Sequence, residues 1–152
     1  MQLLKILKDS EGRQDVFLSF GAIPLEPIES WMRSASLIIP RDLVEFWSQT
    51  GGGDLFDDSE TMLRPTRVPS IHPNFVEGDD VESATKFRIQ NGMPDSYLLF
   101  HIGTCFSAVR LADQMFVTLD DKFQETGVFS NLDEWYAGTL RPIYVEHYHL
   151  AK

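Results

Sequence analysis

A chain of 152 residues that is 43% apolar, with 11 Phe and 3 Trp, can bury a core of its own, which excludes disorder of the low-hydrophobicity kind. Its 13 Lys and Arg against 23 Asp and Glu give a formal charge of -10, a field that repels phosphate backbones and anionic lipid, so neither nucleic acid nor a membrane is an expected partner. The single cysteine, Cys105, excludes an intramolecular disulfide, and no apolar run nears the ~20 residues a bilayer span needs, so a cytoplasmic protein is expected.

No repeat, low-complexity tract or linker divides the chain, and one domain over residues 1–152 is expected. Near the start, Leu3, Leu4, Ile6 and Leu7 fit an amphipathic helical turn, but residues 3–7 and 16–20 equally fit two strands of a hairpin. Pro27 suits a first helical position and predicts a helix ending before Pro40, with Ile28, Trp31, Met32 and Ala35 on one face. Pro40 then opens a second helix with the stripe Leu43, Val44, Phe46 and Trp47, stopped by glycines 51–53.

Residues 65–94 hold four of the eight prolines and the acidic residues Glu77, Asp79, Asp80 and Glu82, which predicts a long irregular crossing with one short strand at residues 86–89. Beyond Pro94 the pattern turns to β: residues 97–102, 106–111 and 115–119 read as an antiparallel meander, with a further strand at residues 127–129. A closing helix starts at Ser130 or Asn131, each with an acidic residue three places on. Its core side is Leu132, Trp135 and Tyr136, its expected stop is Gly138, and residues 140–150 are expected as an extended tail. The fold class is therefore α+β: N-terminal helices, an antiparallel β-meander and a closing C-terminal helix.

Each cluster with chemical potential has a plainer reading. Glycines 51–53 lack the following Lys and Ser or Thr of a phosphate cradle, and Asp54 would repel a phosphate, so they stop a helix. His101 and Cys105 could form a base and a thiol, yet no third positioned group is visible, and strand packing is expected for both. On a strand, His147 and His149 would share one face and could hold a metal with Glu146, but a solvated terminal strand accounts for them. Asp54, Asp57, Asp58 and Glu60 lack the alternate-residue spacing and central glycine of a calcium loop, leaving a solvated or partner-contacting face. Trp31, Trp47 and Trp135 belong to core stripes, whereas Phe123, Phe129 and Tyr148 are candidate anchors for a partner. No catalytic residue, metal ligand or cofactor is assigned.

The run Ile39, Pro40, Arg41, Asp42, Leu43, Val44, Glu45, Phe46, Trp47, then Thr50, glycines 51–53, Leu55 and Phe56, resembles the signature of the SUKH superfamily. That superfamily contains the Smi/Knr-like cell-wall regulators and many bacterial toxin-immunity proteins. Residues 97–103, 116–120 and 131–135 match its strand, strand and final-helix order, so the resemblance covers roughly residues 24–140. It departs in the proline-rich stretch 65–94 and in the first twenty residues. The resemblance implies a binding scaffold without a catalytic set, most often one that neutralises a co-encoded toxin. The expected partner is a protein, such as a toxin domain with a basic surface. The expected contacts are Asp54, Asp57, Asp58, Glu60, Glu77, Asp79, Asp80 and Glu82, with charges raising the association rate and aromatic anchors supplying affinity. Competing readings are a regulatory adaptor that binds a host protein, and a small hydrolase or metal enzyme built on His101, Cys105 or the terminal histidines.

Overall fold

The first helix to commit is set by proline before it and glycine after it. In the computed structural model, which describes residues 4–65 and 78–151, Pro40 immediately precedes helix α3 (Arg41–Thr50), and Gly51 ends it at φ 69°, donating its N–H to the Trp47 carbonyl at 2.7 Å. The left-handed conformation there is open to glycine at little cost, and a side chain would also strike the Gly21 carbonyl oxygen. The stripe Leu43, Val44, Phe46 and Trp47 is fully buried. Each such side chain contributes about 1.5–3 kcal/mol through burial. Trp47 also meets Trp31 edge-on at 5.9 Å and donates its Nε1 hydrogen to the Leu63 carbonyl at 3.0 Å, so its polar handle is satisfied inside the core.

Trp31 belongs to α2 (Leu25–Ser34), which starts two residues before the expected Pro27 and buries Ile28 and Trp31. Ahead of it, both readings of the N-terminus are partly realised: α1 (Lys5–Asp9) is a short helix with Ile6 buried, and β1 (Phe17–Ser19) is a strand. They do not form a hairpin. Strand β1 pairs instead with β2 (Gly53–Leu55), which directly follows α3, and β2 turns through Phe56, Asp57 and Asp58, all at positive φ, into β3 (Glu60–Met62).

Within the expected irregular crossing the structure has a helix, α4 (Val81–Gln90), so the strand expected at residues 86–89 is wrong. Asp80 caps it, accepting the Ser83 N–H at 3.0 Å, and Val81, Ala84 and Thr85 are its buried face. Helix α4 lies alongside the first half of β4 (Tyr97–Ile102), where Thr85 Oγ1 accepts the Leu99 N–H at 3.0 Å and so satisfies a strand donor that the three-residue β3 does not reach.

The meander then runs as expected through β5 (Phe106–Arg110), β6 (Met115–Leu119) and β7 (Glu125–Phe129). Among the described residues, seven strands make one antiparallel sheet in the order β1-β2-β3-β4-β5-β6-β7. Asn131 caps α5 (Leu132–Thr139) by accepting the Glu134 N–H at 2.8 Å, and Asp42 of α3 accepts the Leu132 N–H at 2.7 Å, tying the two helices at their N-termini. Gly138 lies inside α5 and does not stop it. The tail is not extended: α6 (Arg141–Tyr144) and the turns after it replace the expected strand. Trp135 packs against Phe100, which meets Phe116 edge-on at 5.5 Å, so α5 closes the core over β4 to β6.

Candidate functional site

The residues with most chemical potential converge under α5. Register pairs His101 of β4 with Ser107 of β5 and with Met62 of β3, next but one to Glu60, and the β-bulge between Leu99 and His101 adjusts the strand there. His101 Nε2 lies 2.8 Å from Glu60 Oε1, and His101 Nδ1 lies 2.8 Å from Ser107 Oγ. Trp135 Nε1 donates to the same Ser107 oxygen at 2.9 Å. A carboxylate only accepts, so the imidazole hydrogen sits on Nε2 and Nδ1 accepts from the Ser107 hydroxyl.

Glu60 takes three more donors: the Thr104 N–H at 3.0 Å, the Thr104 hydroxyl at 2.6 Å and the Tyr144 hydroxyl at 2.6 Å. Burial works to raise the Glu60 carboxyl, but the bonds from His101, Thr104 and Tyr144 outweigh it and bring it down to about 2. Burial lowers His101 against the pull of Glu60, so the ring is neutral. Tyr144 is pushed up to about 12 by burial and by its bond to Glu60.

Hydroxyl, imidazole and carboxylate in series have the connectivity of a hydrolase triad, but not its access. Ser107 and His101 have no exposed surface and Glu60 is 2% exposed. With Trp135 and Thr104 filling the remaining hydrogen-bonding positions, the series acts as a polar tie inside the core, joining β3, β4, β5, α5 and α6. Cys105 stands 3.8 Å from Ser107 Oγ, and burial raises its thiol against the opposing Ser107 contact, the reverse of nucleophile activation.

This burial overturns the surface reading of two acidic residues. Glu60 is the carboxylate of the tie, and Asp54 is 8% exposed on β2, where it accepts the Thr61 hydroxyl at 3.2 Å. Burial first and the charge of Asp58 second raise Asp54 to about 6. Asp57 and Asp58 are exposed on the β2–β3 turn, and Asp57 accepts the Tyr148 hydroxyl at 2.8 Å. Asp79 and Asp80 are half-buried, Asp80 as a helix cap, while Glu82 is exposed and accepts from Trp31 Nε1 at 3.2 Å. Glu77 lies outside the described residues. The seven described acidic residues of the set are thus not one contact face.

Trp31, Trp47 and Trp135 are buried as expected. Of the candidate anchors, Phe123 and Phe129 are half-buried against the core, and Tyr148 is buried beside Phe56 at 5.1 Å. His147 and His149 are exposed and sit on turns, not on a strand face. Among the described residues no group of three or more His, Cys, Asp or Glu is placed to hold a metal, and no helix is long and apolar enough to cross a membrane.

Sequence reasoning missed a groove of about 420 Å³ between α2 and α4, floored by Trp31, Leu37, Ile89 and Leu98 and edged by Lys86 and Gln90. Ile89 is 37% exposed there, and Ile38, next to Leu37, is 76% exposed. The signal lay in the spacing of Glu82, Thr85, Lys86 and Ile89, which share a helical face only once residues 81–90 are read as a helix. No protein-family model matches the chain, and a search of curated proteins gives no match.

Proposed function

We propose that this chain is a non-catalytic protein-binding domain of the SUKH type, which acts in the cytoplasm by occluding a toxin domain with a basic surface. The observation that carries the reading is the contrast between inside and outside. The histidine, serine and carboxylate that could perform chemistry are spent in the core, whereas Ile89 stands exposed at an open groove and Ile38 stands exposed next in the chain to Leu37, which lines it. The groove is suited to an apolar anchor of the partner, with affinity residing mainly there. The net charge of -10, with Asp57, Asp58 and Glu82 exposed, is suited to speeding the arrival of a basic partner. The SUKH assignment is supported by the run from Ile39 to Trp47 followed by glycines 51–53, here the core helix α3 and its turn into β2.

The experiment is purification of partners from the native cell, followed by binding kinetics with the captured protein across a salt series. Ile38→Glu and Ile89→Glu are expected to raise the dissociation rate roughly tenfold or more, equivalent to the >1 kcal/mol of an anchor residue. Asp57→Asn with Asp58→Asn is expected to slow association as added salt does. A partner whose rates are insensitive to all four substitutions overturns the assigned surface. A regulatory adaptor would use the same surface, and a toxin reading frame beside the gene separates the two.

A further inference from the structure

The C-terminal segment is attached in an unusual way. The N–H groups of Ile143, Val145, Tyr148, His149 and Leu150 donate only to carbonyls of residues 140–146, and α6 contains no fully buried residue. Side chains do the fastening: Tyr148 and Leu150 are buried in the core, Tyr144 donates to Glu60 at 2.6 Å, Tyr148 to Asp57 at 2.8 Å, Arg13 to the Tyr148 carbonyl at 2.7 Å, and Arg141 pairs with Asp9 at 2.9 Å. Phe56 stacks on Tyr144 at 4.0 Å. The Tyr144 tie ends on the very carboxylate that holds His101.

We propose that residues 141–151 are a strap released by proton uptake at the Glu60–His101 pair. The ring accommodates a second proton poorly while the strap is closed. Its Nε2 hydrogen is given to Glu60, and its Nδ1 accepts from Ser107, whose oxygen already accepts from Trp135. Protonating Nδ1 turns the Ser107 hydrogen toward Cys105 Sγ at 3.8 Å, a weak acceptor. Acid therefore favours whichever opening brings water to the pair. Departure of Tyr144 uncovers Glu60 without breaking a strand ladder, so the strap is the opening that leaves the sheet intact. The groups facing the pair are Glu60 from β3, Tyr144 from α6 and Cys105 from the β4–β5 turn, while β5 and α5 present the uncharged Ser107 and Trp135. His147 and His149 ride on the strap itself and are exposed.

Hydrogen exchange of residues 143–150, corrected for intrinsic rates, tests this. Opening of the wild-type strap is expected to rise about tenfold from about pH 7.5 to about pH 5.5, because an imidazole freed to its ordinary value near 6.5 is mostly charged at the lower pH. His101→Gln removes the titrating ring and is expected to flatten the profile. His147→Asn with His149→Asn is expected to keep the rise, and Tyr144→Phe to increase opening equally at both pH values. A pH-independent wild type, a rise that survives His101→Gln, or strands β4 to β6 opening in parallel with the strap overturns the proposal. So does nitrogen NMR of the unaltered protein if it finds the His101 ring charged while the strap is closed.

Discussion

Asp54→Asn is expected to stabilise this protein near neutral pH, because the native state holds an aspartate where an uncharged group of the same shape would be more comfortable. Asp54 is 8% exposed on β2, accepts a hydroxyl from Thr61, and is raised to about 6 by burial and by Asp58. Its folded value exceeds the ordinary 3.8, so the folded state binds the proton more tightly than the unfolded state. The group's contribution is fully present below about pH 4 and is lost as pH rises through about 6. The rise from 3.8 to about 6 corresponds to an upper limit of about 3 kcal/mol. Solvent at the exposed Asp58 screens part of that, leaving about 1–2 kcal/mol. Asparagine keeps the oxygen that Thr61 uses and carries no charge. Thermal unfolding at about pH 7.5 is expected to show a gain of roughly 2–8 °C, at the usual 2–4 °C per kcal/mol for a chain of this size. The gain should vanish near pH 4, where Asp54 is protonated. An equal gain at both pH values, or a loss at neutral pH, refutes the assignment of cost to the buried charge.

Trp47→Ala is expected to cost at least about 3–5 kcal/mol in denaturant unfolding, because it empties a fully buried site and leaves the Leu63 carbonyl without its donor. An unchanged midpoint would mean that α3 does not anchor the core. Gly103→Ala would place a methyl group against the Glu60 carboxylate, whose three polar partners and His101 leave it nowhere to move. Calorimetry is expected to record a loss of about 1–3 kcal/mol, the scale of an overpacked site, and a neutral result would show the tie to be loose.

The sequence made the long elements legible and the short ones opaque, for a physical reason. Helix α3 and strands β4 to β6 span five to ten residues each, enough for a stripe or an alternation to register, and Pro40, Gly51 and Asn131 mark boundaries through conformations they favour. Strands β1, β2 and β3 have three residues each, too few to show a period of two. Their assignment depends on partners brought from elsewhere in the chain. Helix α4 was hidden because its buried face is only Val81, Ala84 and Thr85, set beside an acidic run that reads as loop. The polar tie was least legible. Glu60 sits among Ser59 and Thr61 and looks solvated, and its partners His101, Thr104 and Tyr144 are 41, 44 and 84 residues away. His101 packs on a strand as expected, whereas Cys105 is half-buried on the turn between β4 and β5, and nothing local announces that Glu60 and Ser107 complete the series.

The sheet order has a consequence for how such a chain can vary. Two helical excursions, residues 20–52 and 63–96, each leave one strand and return to its immediate neighbour, Ser19 coming to lie beside Gly53 and Met62 beside His101. Their ends are fixed by adjacent rungs of one ladder, so their length is uncoupled from strand register. Doubling such a connection adds only about 0.6 kcal/mol to the entropy of closing it. Insertions and deletions are therefore tolerable in these two connections only outside the packed helices α2, α3 and α4, whereas between β4 and β7 the tight turns leave no comparable slack.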